Sequence, residues 1–360
     1  MQIFNAIKSH LNFKAPLIAG LHIGASSLKL LCLKKADEQF YVEHYATVPL
    51  PAGAVVEKEI KNSRAITDAV KQLVAHTKGK IQQVAIALPD NAVISKIIQM
   101  ESSLSETQLE NLIPFEAEQH LPHPLEEVSL DFQVLGTNNK NQHLVDILLV
   151  ASHKDKVASR IAAIAAGGMQ VKVVDVESYA IERACQLLRW EWPEQGNQQT
   201  VAVCMFTALG LSLIILQNNN IIFMRSENFG SEQLTKLIQQ RYNLSFQEAE
   251  QAKINNNLPE NYINEVLEPF REGVISQIRR ALQFFFSTAQ QAEINYFILA
   301  GGSAYLAGLA EKIAEQLKIK VAIANPFFNM TIAPTIDATL LKQEAAGLLL
   351  CSGLAMRNFG

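Results

Sequence analysis

The chain is 360 residues long, is 49% apolar, and carries 31 Lys and Arg against 35 Asp and Glu, for a formal net charge of −4. That length fits about two domains, each able to bury its own core. The balanced charge leaves no electrostatic footprint for nucleic acid, and the apolar content excludes a disordered chain. Charged residues make up only 18%, below the usual ~25%, which points to surface covered by partners.

Residues 1–14 place Ile3, Phe4, Ile7 and Leu11 on one helical face, with Lys8 and Lys14 off it. This amphipathic segment suits either a helix docked on its own domain or a weak membrane-surface or partner-binding helix. Strands are expected over Leu17–Ile23, Ser27–Lys34 and Phe40–Val48, with a tight turn at Gly24–Ser26. A Pro/Gly loop, Pro49 to Gly53, leads to a helix over Arg64–His76 and a strand over Val84–Leu88. The next stretch, Asn91–Lys156, reads as an inserted subdomain. Ser105 and Gln108 form a capping box for a helix running to about His120 and interrupted at Pro114; strands over Leu130–Leu135 and Val145–Ala151 follow. Helix Lys154–Ala166 and strand Val171–Asp175 return the chain to the first half.

Val201–Glu227 again reads as three strands joined by tight turns, followed by a helix over Ser231–Tyr242. A shift of 183 residues lays Ala202–Leu213 on Ala19–Leu30, with Met205 opposite His22, Thr207 opposite Gly24 and Ser212 opposite Lys29. Two similarly built α/β halves follow from this, each opening on a hairpin whose turn faces a shared cleft. A long helix over Asn264–Gln290, a strand over Asn295–Leu299, the turn Gly301-Gly302-Ser303, a helix over Tyr305–Leu317 and a strand over Val321–Ala324 complete the second half. A buried helix over Thr339–Arg357 ends the chain. The division is then 1–16, an N-terminal segment; 17–90 and 157–194, the first half; 91–156, the insert; 195–338, the second half, helical over about 228–290; and 339–360, a C-terminal helix packed on the first half.

Cys32, Cys185, Cys204 and Cys351 lack close partners and read as reduced, mostly buried thiols. His120 and His123 are split by Leu-Pro, which spoils helical ligand geometry, so no metal site is expected there. The uncharged run Gln195–Met224 has an apolar part, Val201–Leu216, shorter than the ~20 residues of a spanning helix, and reads as two strands. Ala15–Gly24 mimics a short signal core after Lys8 and Lys14, yet runs into another strand without a cleavage site.

Two hairpins and a Gly-Gly turn around one cleft are the parts of an actin-like ATPase. Turn N–H groups face phosphates, an acid on each first strand serves Mg²⁺ or water, and the Gly-Gly turn approaches adenine. More specifically, Gly20-Leu-His22-Ile-Gly24-Ala-Ser26-Ser27-Leu-Lys29 resembles the first phosphate motif of the type IV pilus assembly protein PilM family. So do Tyr41–Ala46 with Pro49–Glu57, Leu104-Ser-Glu with Glu116–Glu127, Val173–Arg183, Phe229–Leu234 and Leu299–Ala304. The resemblance spans nearly the whole chain and is most specific over Leu104–Leu135. It implies an actin-like duplicated α/β fold with an FtsA/PilM-type α+β insert. It also implies a place at the cytoplasmic face of the inner membrane and capture of the N-terminal cytoplasmic tail of PilN, within the PilN–PilO platform. Pilus motor ATPases, self-association, and service to twitching motility or natural competence come with the same resemblance.

The chain departs from that family at the acids. The first motif has His22 where Asp is usual, and the second has Met205-Phe-Thr207 where Asp-x-Gly is expected; imidazole is a poor Mg²⁺ ligand and Met is none, so both first-strand acids are missing. Thr207 would adopt positive φ only at a cost. By resemblance, Gly24, Ala25, Ser26, Ser27, Lys29, Glu232, Lys236, Gly301, Gly302 and Ser303 would line a nucleotide cleft. ATP or ADP is then an optional ligand, no cofactor is required, and hydrolysis is not expected. Leu109, Leu112, Ile113, Glu116, Glu118, Gln119, Leu121, Pro122 and Pro124 are the expected partner-binding residues, with an acidic stretch suited to a basic peptide. That stretch equally reads as a solvated face. Ser26-Ser27-Leu28-Lys29 contains S-x-x-K outside the strand-helix context of acyl enzymes and reads as turn and strand. Asp175 and Glu177 lie two apart on a strand and pose as an acid/base pair, a structural or hinge role being favoured. The expected function is a non-enzymatic adaptor, the alternative a nucleotide-dependent, FtsA-like ATPase or filament former. A type II secretion L-type protein would continue into a spanning helix, which the sequence to Gly360 does not show.

Overall fold

Apolar runs bounded by turn residues become the inner strands of two sheets. The computed structural model describes residues 17–37, 39–138, 140–191, 199–218, 220–288 and 293–359; the expected helix over 1–14 lies outside them. In the first half, β1 (Ile18–Ile23), β2 (Ser27–Ala36) and β3 (Gln39–Pro49) form an antiparallel meander. A small hairpin, β4 (Val55–Val56) and β5 (Glu59–Ile60), precedes α1 (Ser63–His76), whose Ile66, Ala69, Val70 and Leu73 enter the core. β6 (Gln83–Leu88) then lies parallel to β1.

The insert is a three-stranded sheet covered on one face by a helix. β7 (Val93–Glu101) and β8 (Val128–Thr137) flank β9 (Leu144–His153), and α2 (Glu106–Glu118) packs Leu109, Ile113 and Ala117 onto Ile98, Met100, Ile147 and Leu149. Ser105 caps α2 as the sequence predicts. Pro114 does not interrupt the helix; the carbonyl it leaves without a donor belongs to Glu110, an exposed residue. β7 is an addition to the sequence reading: Lys96 on its covered face and exposed Ile97 on the other blur the alternation.

α3 (Lys154–Ala166) and β10 (Gln170–Val176) complete the first sheet, in the order β10-β6-β1-β2-β3, with α4 (Glu177–Cys185) following. In the second half, β11 (Thr200–Phe206), β12 (Leu211–Gln217) and β13 (Asn220–Glu227) form the meander. α5 (Ser231–Tyr242) matches its sequence bounds. α6 (Phe246–Ile254), under a Ser245–Glu248 capping box, falls inside the stretch expected to be helical, where the sequence reading sets no bounds for it. The long helix starts as a π turn at Ile263–Leu267, continues as α7 (Glu268–Thr288), and its expected end at 289–290 lies outside the described residues. β14 (Tyr296–Ala300) follows. α8 (Leu309–Leu317) starts four residues later than expected, after turns from Ser303 to Gly308, and leads to β15 (Val321–Ile323). The order β13-β12-β11-β14-β15 repeats the winding of the first sheet, and His22 pairs Lys29 as Met205 pairs Ser212. The 183-residue repeat is therefore present in the backbone register.

After β16 (Thr331–Ile332), at the edge of β3, the C-terminal helix is broken: α9 (Ala338–Glu344), a 3₁₀ turn over Ala345–Leu348, and α10 (Leu349–Ala355). Leu349, Leu350 and Leu354 join the core of the second half, while Cys351 and Ala355 pack with Leu31 and Leu33 of the first. α10 fits because two glycines remove side chains: a Cβ on Gly20 would stand 2.1 Å from Cys351 O, and one on Gly353 1.7 Å from Ala180 O. All four cysteines are free and buried, and burial pushes the Cys32 and Cys351 thiols up to about 12.

Candidate functional site

The β1–β2 and β11–β12 turns face each other across a cavity of about 120 Å³. The first turn closes through the Gly24 N–H donating to Ser27 O at 3.0 Å, and the Leu50 N–H donates to Ser26 O at 2.8 Å. The second closes on a side chain. Thr207 Oγ1 donates to Gly210 O at 2.9 Å and accepts the Gly210 N–H at 3.2 Å, while the Thr207 N–H donates to Gly210 O at 2.9 Å. None of residues 207–210 has positive φ, so the strain expected at Thr207 is not incurred. The carbonyls of Thr207 and Ala208 accept the Ser231 and Glu232 N–H groups, which caps α5 with protein rather than leaving its first N–H groups for an anion.

The floor of this cavity is charged on the first-half side only. His22 ends β1 there, and its Nδ1 is buried without a hydrogen-bond partner among the described residues. Burial pushes the imidazole down to about 4, against the pull of Glu177, with Lys29 and Lys58 adding to the depression. Lys58 enters from the β4–β5 turn and its Nζ lies 2.6 Å from Glu177 Oε2; Arg160 Nη2 donates to Lys58 O at 2.5 Å. Burial alone would raise the Glu177 pKa, but the ion pair with Lys58 holds it below the usual carboxylate value. Asp90 accepts the Ser178 N–H at 3.2 Å, and its burial raises its pKa. Lys29 Nζ is 3.1 Å from Glu344 Oε2, which also accepts Thr47 Oγ1 at 3.1 Å. Asp175 and Glu177 do not share a strand face: Glu177 opens α4, and buried Asp175 is ion-paired to Arg183 and to Arg357, the latter at 2.8 Å.

Of the residues expected around a nucleotide, Gly24, Ala25, Ser26, Ser27, Lys29 and Gly302 line this cavity. Ser303 lines an adjoining cavity of about 560 Å³ with Tyr305, Glu344 and Lys253. Glu232 and Lys236 line a third, of about 720 Å³, and bridge each other at 2.9 Å. Gly301 lines none of these: at φ +93° its N–H donates to Ala346 O, and a Cβ would strike Phe206 O at 2.2 Å. Sequence reasoning missed Lys58, Arg160 and Glu344. No local signal marks them: Glu57 and Lys58 take positive φ in a turn whose sequence, Val56-Glu57-Lys58-Glu59, holds no glycine, asparagine or aspartate. A Mg²⁺ ion does not fit the floor. It needs oxygen donors, yet His22 and Met205 offer none, Glu177 is bound by Lys58, Asp90 is left as a lone carboxylate that accepts the Ser178 N–H, and the described residues hold no group of three acids, histidines or cysteines able to grip a metal.

The residues expected to hold a partner are not brought together. Leu109 and Ile113 are buried in the core of the insert. Leu112, Glu116, Glu118 and Gln119 are exposed beside Phe115, 69% exposed, on the outer side of α2. Leu121 packs on that core, while exposed Pro122 and Pro124 flank His123, whose ring lies tilted against that of His153 at the border with the first half. A cavity of about 190 Å³ lies at this border, lined by Glu57–Ile60, Asn91, Ala92 and, from the start of α3, Asp155, Lys156, Ser159 and Arg160. β7, an edge strand, begins beside it at Val93.

The family model described as type IV pilus assembly protein PilM matches residues 20–359. Among solved structures, the chain is similar to a PilM-PilN type IV pilus biogenesis complex, with a TM-score of 0.79 and 25% identity over 95% of this chain and 98% of that one. It is also similar in fold to ethanolamine utilization protein EutJ from Carboxydothermus hydrogenoformans, with a TM-score of 0.56 and 14% identity over 100% and 97% of the two chains. The architecture is the actin-like duplicated α/β fold.

Proposed function

The chain belongs to the type IV pilus assembly protein PilM family, and we propose that it works as a non-enzymatic adaptor of the pilus inner-membrane platform. In this reading it captures the N-terminal cytoplasmic tail of PilN and links PilN and PilO to the pilus motor from the cytoplasmic side. The observation that carries the proposal is the likeness, along nearly the full chain, to a structure solved as a PilM-PilN complex. The cleft supports the non-enzymatic part, since neither His22 nor Met205 can ligate Mg²⁺ or activate water as a carboxylate would.

The tail is proposed to seat at the border of the insert and the first half. The cavity there offers both acids and bases, and the free edge of β7 offers backbone hydrogen bonds to an extended peptide. Removing 102–127 would strip the cover from Ile98 and Ile147 and unfold the insert, so point changes are the better test. Calorimetry with a PilN N-terminal peptide should show binding. Ser159→Trp, which fills the border cavity from exposed helix surface, should weaken it at least ~tenfold, while Leu112→Ala and Phe115→Ala change it less than ~twofold. The reverse pattern would move the tail to α2, and no binding to the unaltered protein would end the proposal.

A further inference from the structure

The cleft floor brings in its own cations. Lys29 and Lys58 both line it, and buried Arg160 is fastened behind Lys58 through the Lys58 carbonyl. Lys58 reaches the floor at a conformational cost: Glu57 and Lys58 have φ of 51° and 64°. A two-residue turn of that shape favours Asn-Gly, and non-glycine residues hold it only where their surroundings fix them. Here the fixing contacts are Arg160 Nη2 on the Lys58 carbonyl and Glu177 on the Lys58 ammonium. What the strained turn delivers is a positioned positive charge, beside the Gly24–Ser27 backbone and on the same cavity as Lys29.

We infer that the Lys58 ammonium takes in this cleft the place of a divalent cation, so that the cavity receives a phosphate-bearing ligand free of Mg²⁺. An ammonium binds phosphate oxygens as a point charge and needs no oxygen ligands from the protein. That accounts for a cavity between backbone turns that Lys58 lines beside Glu177 and Asp90, and for His22 and Met205 at the strand ends where a metal would need carboxylates. Glu177 holds the ammonium at the floor, so a phosphate meets a cation already in position.

The test is calorimetric titration of the full chain with ADP and with inorganic pyrophosphate, each in EDTA and in excess Mg²⁺. Binding in EDTA should be within ~threefold of that in Mg²⁺, and Lys58→Ala should weaken it ~tenfold or more while Lys58→Arg retains most of it. Pyrophosphate binding as tightly as ADP would identify a free diphosphate as the ligand; tighter ADP would identify a nucleotide. His22→Asp, which adds an oxygen donor to the floor, should stay insensitive to EDTA while Lys58 is present. Tenfold tightening by Mg²⁺ in the unaltered protein or in His22→Asp would overturn the inference. So would an unchanged affinity in folded Lys58→Ala, or no binding of either probe in EDTA. The EDTA comparison on the unaltered protein depends on no variant folding, and tail capture is read separately with the PilN peptide.

Discussion

The β1–β2 and β11–β12 hairpins have the same register and the same place in their sheets, yet they present different chemistry to the cleft. At the end of β1, His22 pairs Lys29 across the strands, with Lys58 and Glu177 beneath. At the end of β11, Met205 pairs Ser212, whose Oγ lies 2.8 Å from Ser226 Oγ, and the turn closes on Thr207. Backbone register is set by the buried apolar residues of each strand, such as Leu21, Leu28 and Leu30 in one and Val203, Cys204 and Leu213 in the other. Those residues leave the turn positions open to different side chains. The duplication thus gives one frame for two chemistries, one ionic and one neutral.

The largest test places the same charge at both strand ends. Met205 is 7% exposed and lies in the apolar core of the second half, so Met205→Asp should cost about 3 kcal/mol, as an unpaired buried carboxylate does. His22→Asp puts the carboxylate near Lys29, Lys58 and Arg160, which offset its repulsion by Glu177, and should cost clearly less than Met205→Asp. Urea unfolding at pH 7 reads both. Equal losses would mean that the two strand ends are electrostatically alike and the comparison is wrong.

A smaller effect comes from copying the second-half residue into the first. The His22 imidazole titrates at about 4 in the fold because of burial, and near 6.5 in the unfolded chain. As pH falls from 6.5 toward 4 the unfolded chain takes up a proton that the folded chain refuses, so stability declines with falling pH in that window. His22→Met should flatten this decline, leaving the variant about 2 kcal/mol less pH-sensitive across it than the unaltered protein. Glu177 acts lower down. Its folded pKa is depressed, so its contribution is present above the unfolded carboxylate pKa and lost as pH falls through the folded one. Parallel unfolding curves for the two proteins from pH 7 to 5 would show that His22 is not the buried neutral group the comparison needs.

Much of the fold was legible because its signals are local or periodic. The 183-residue repeat, the capping box at Ser105, and the bounds of α3 and α5 all lie in contiguous stretches. The same signal at Ser245 and Glu248 marks α6, for which the sequence reading sets no bounds. β7 was obscured by Lys96, whose Nζ lies 3.0 Å from His120 Nδ1 on the covered face. At the break in the C-terminal helix, Gly347 lies against Gly302 and the Lys29 ammonium, a long-range contact that no local pattern announces. The cleft was legible in its turns and hidden in its floor. His22 could be read as a missing carboxylate, but Lys58 and Glu177 arrive from a distant hairpin and a helix start. Only tertiary structure places them together.

The smallest test asks whether the two turns are held in different ways. Thr207→Val keeps the β-branched shape and removes both side-chain bonds to Gly210, leaving the backbone bond from the Thr207 N–H in place. Gly210 is only partly buried, so its freed N–H can turn to water and the loss should be about 1 kcal/mol rather than a full desolvation penalty. The first turn relies on a backbone bond, Gly24 N–H to Ser27 O, with the exposed Ser26 side chain outside it. Ser26→Ala should therefore change stability by no more than ~0.5 kcal/mol. Amide exchange at Gly210 against Gly24 separates a local effect from a global one: Thr207→Val should speed exchange at Gly210 alone. Similar losses from both substitutions would mean that side chains close the two turns alike, and that their difference lies only in charge.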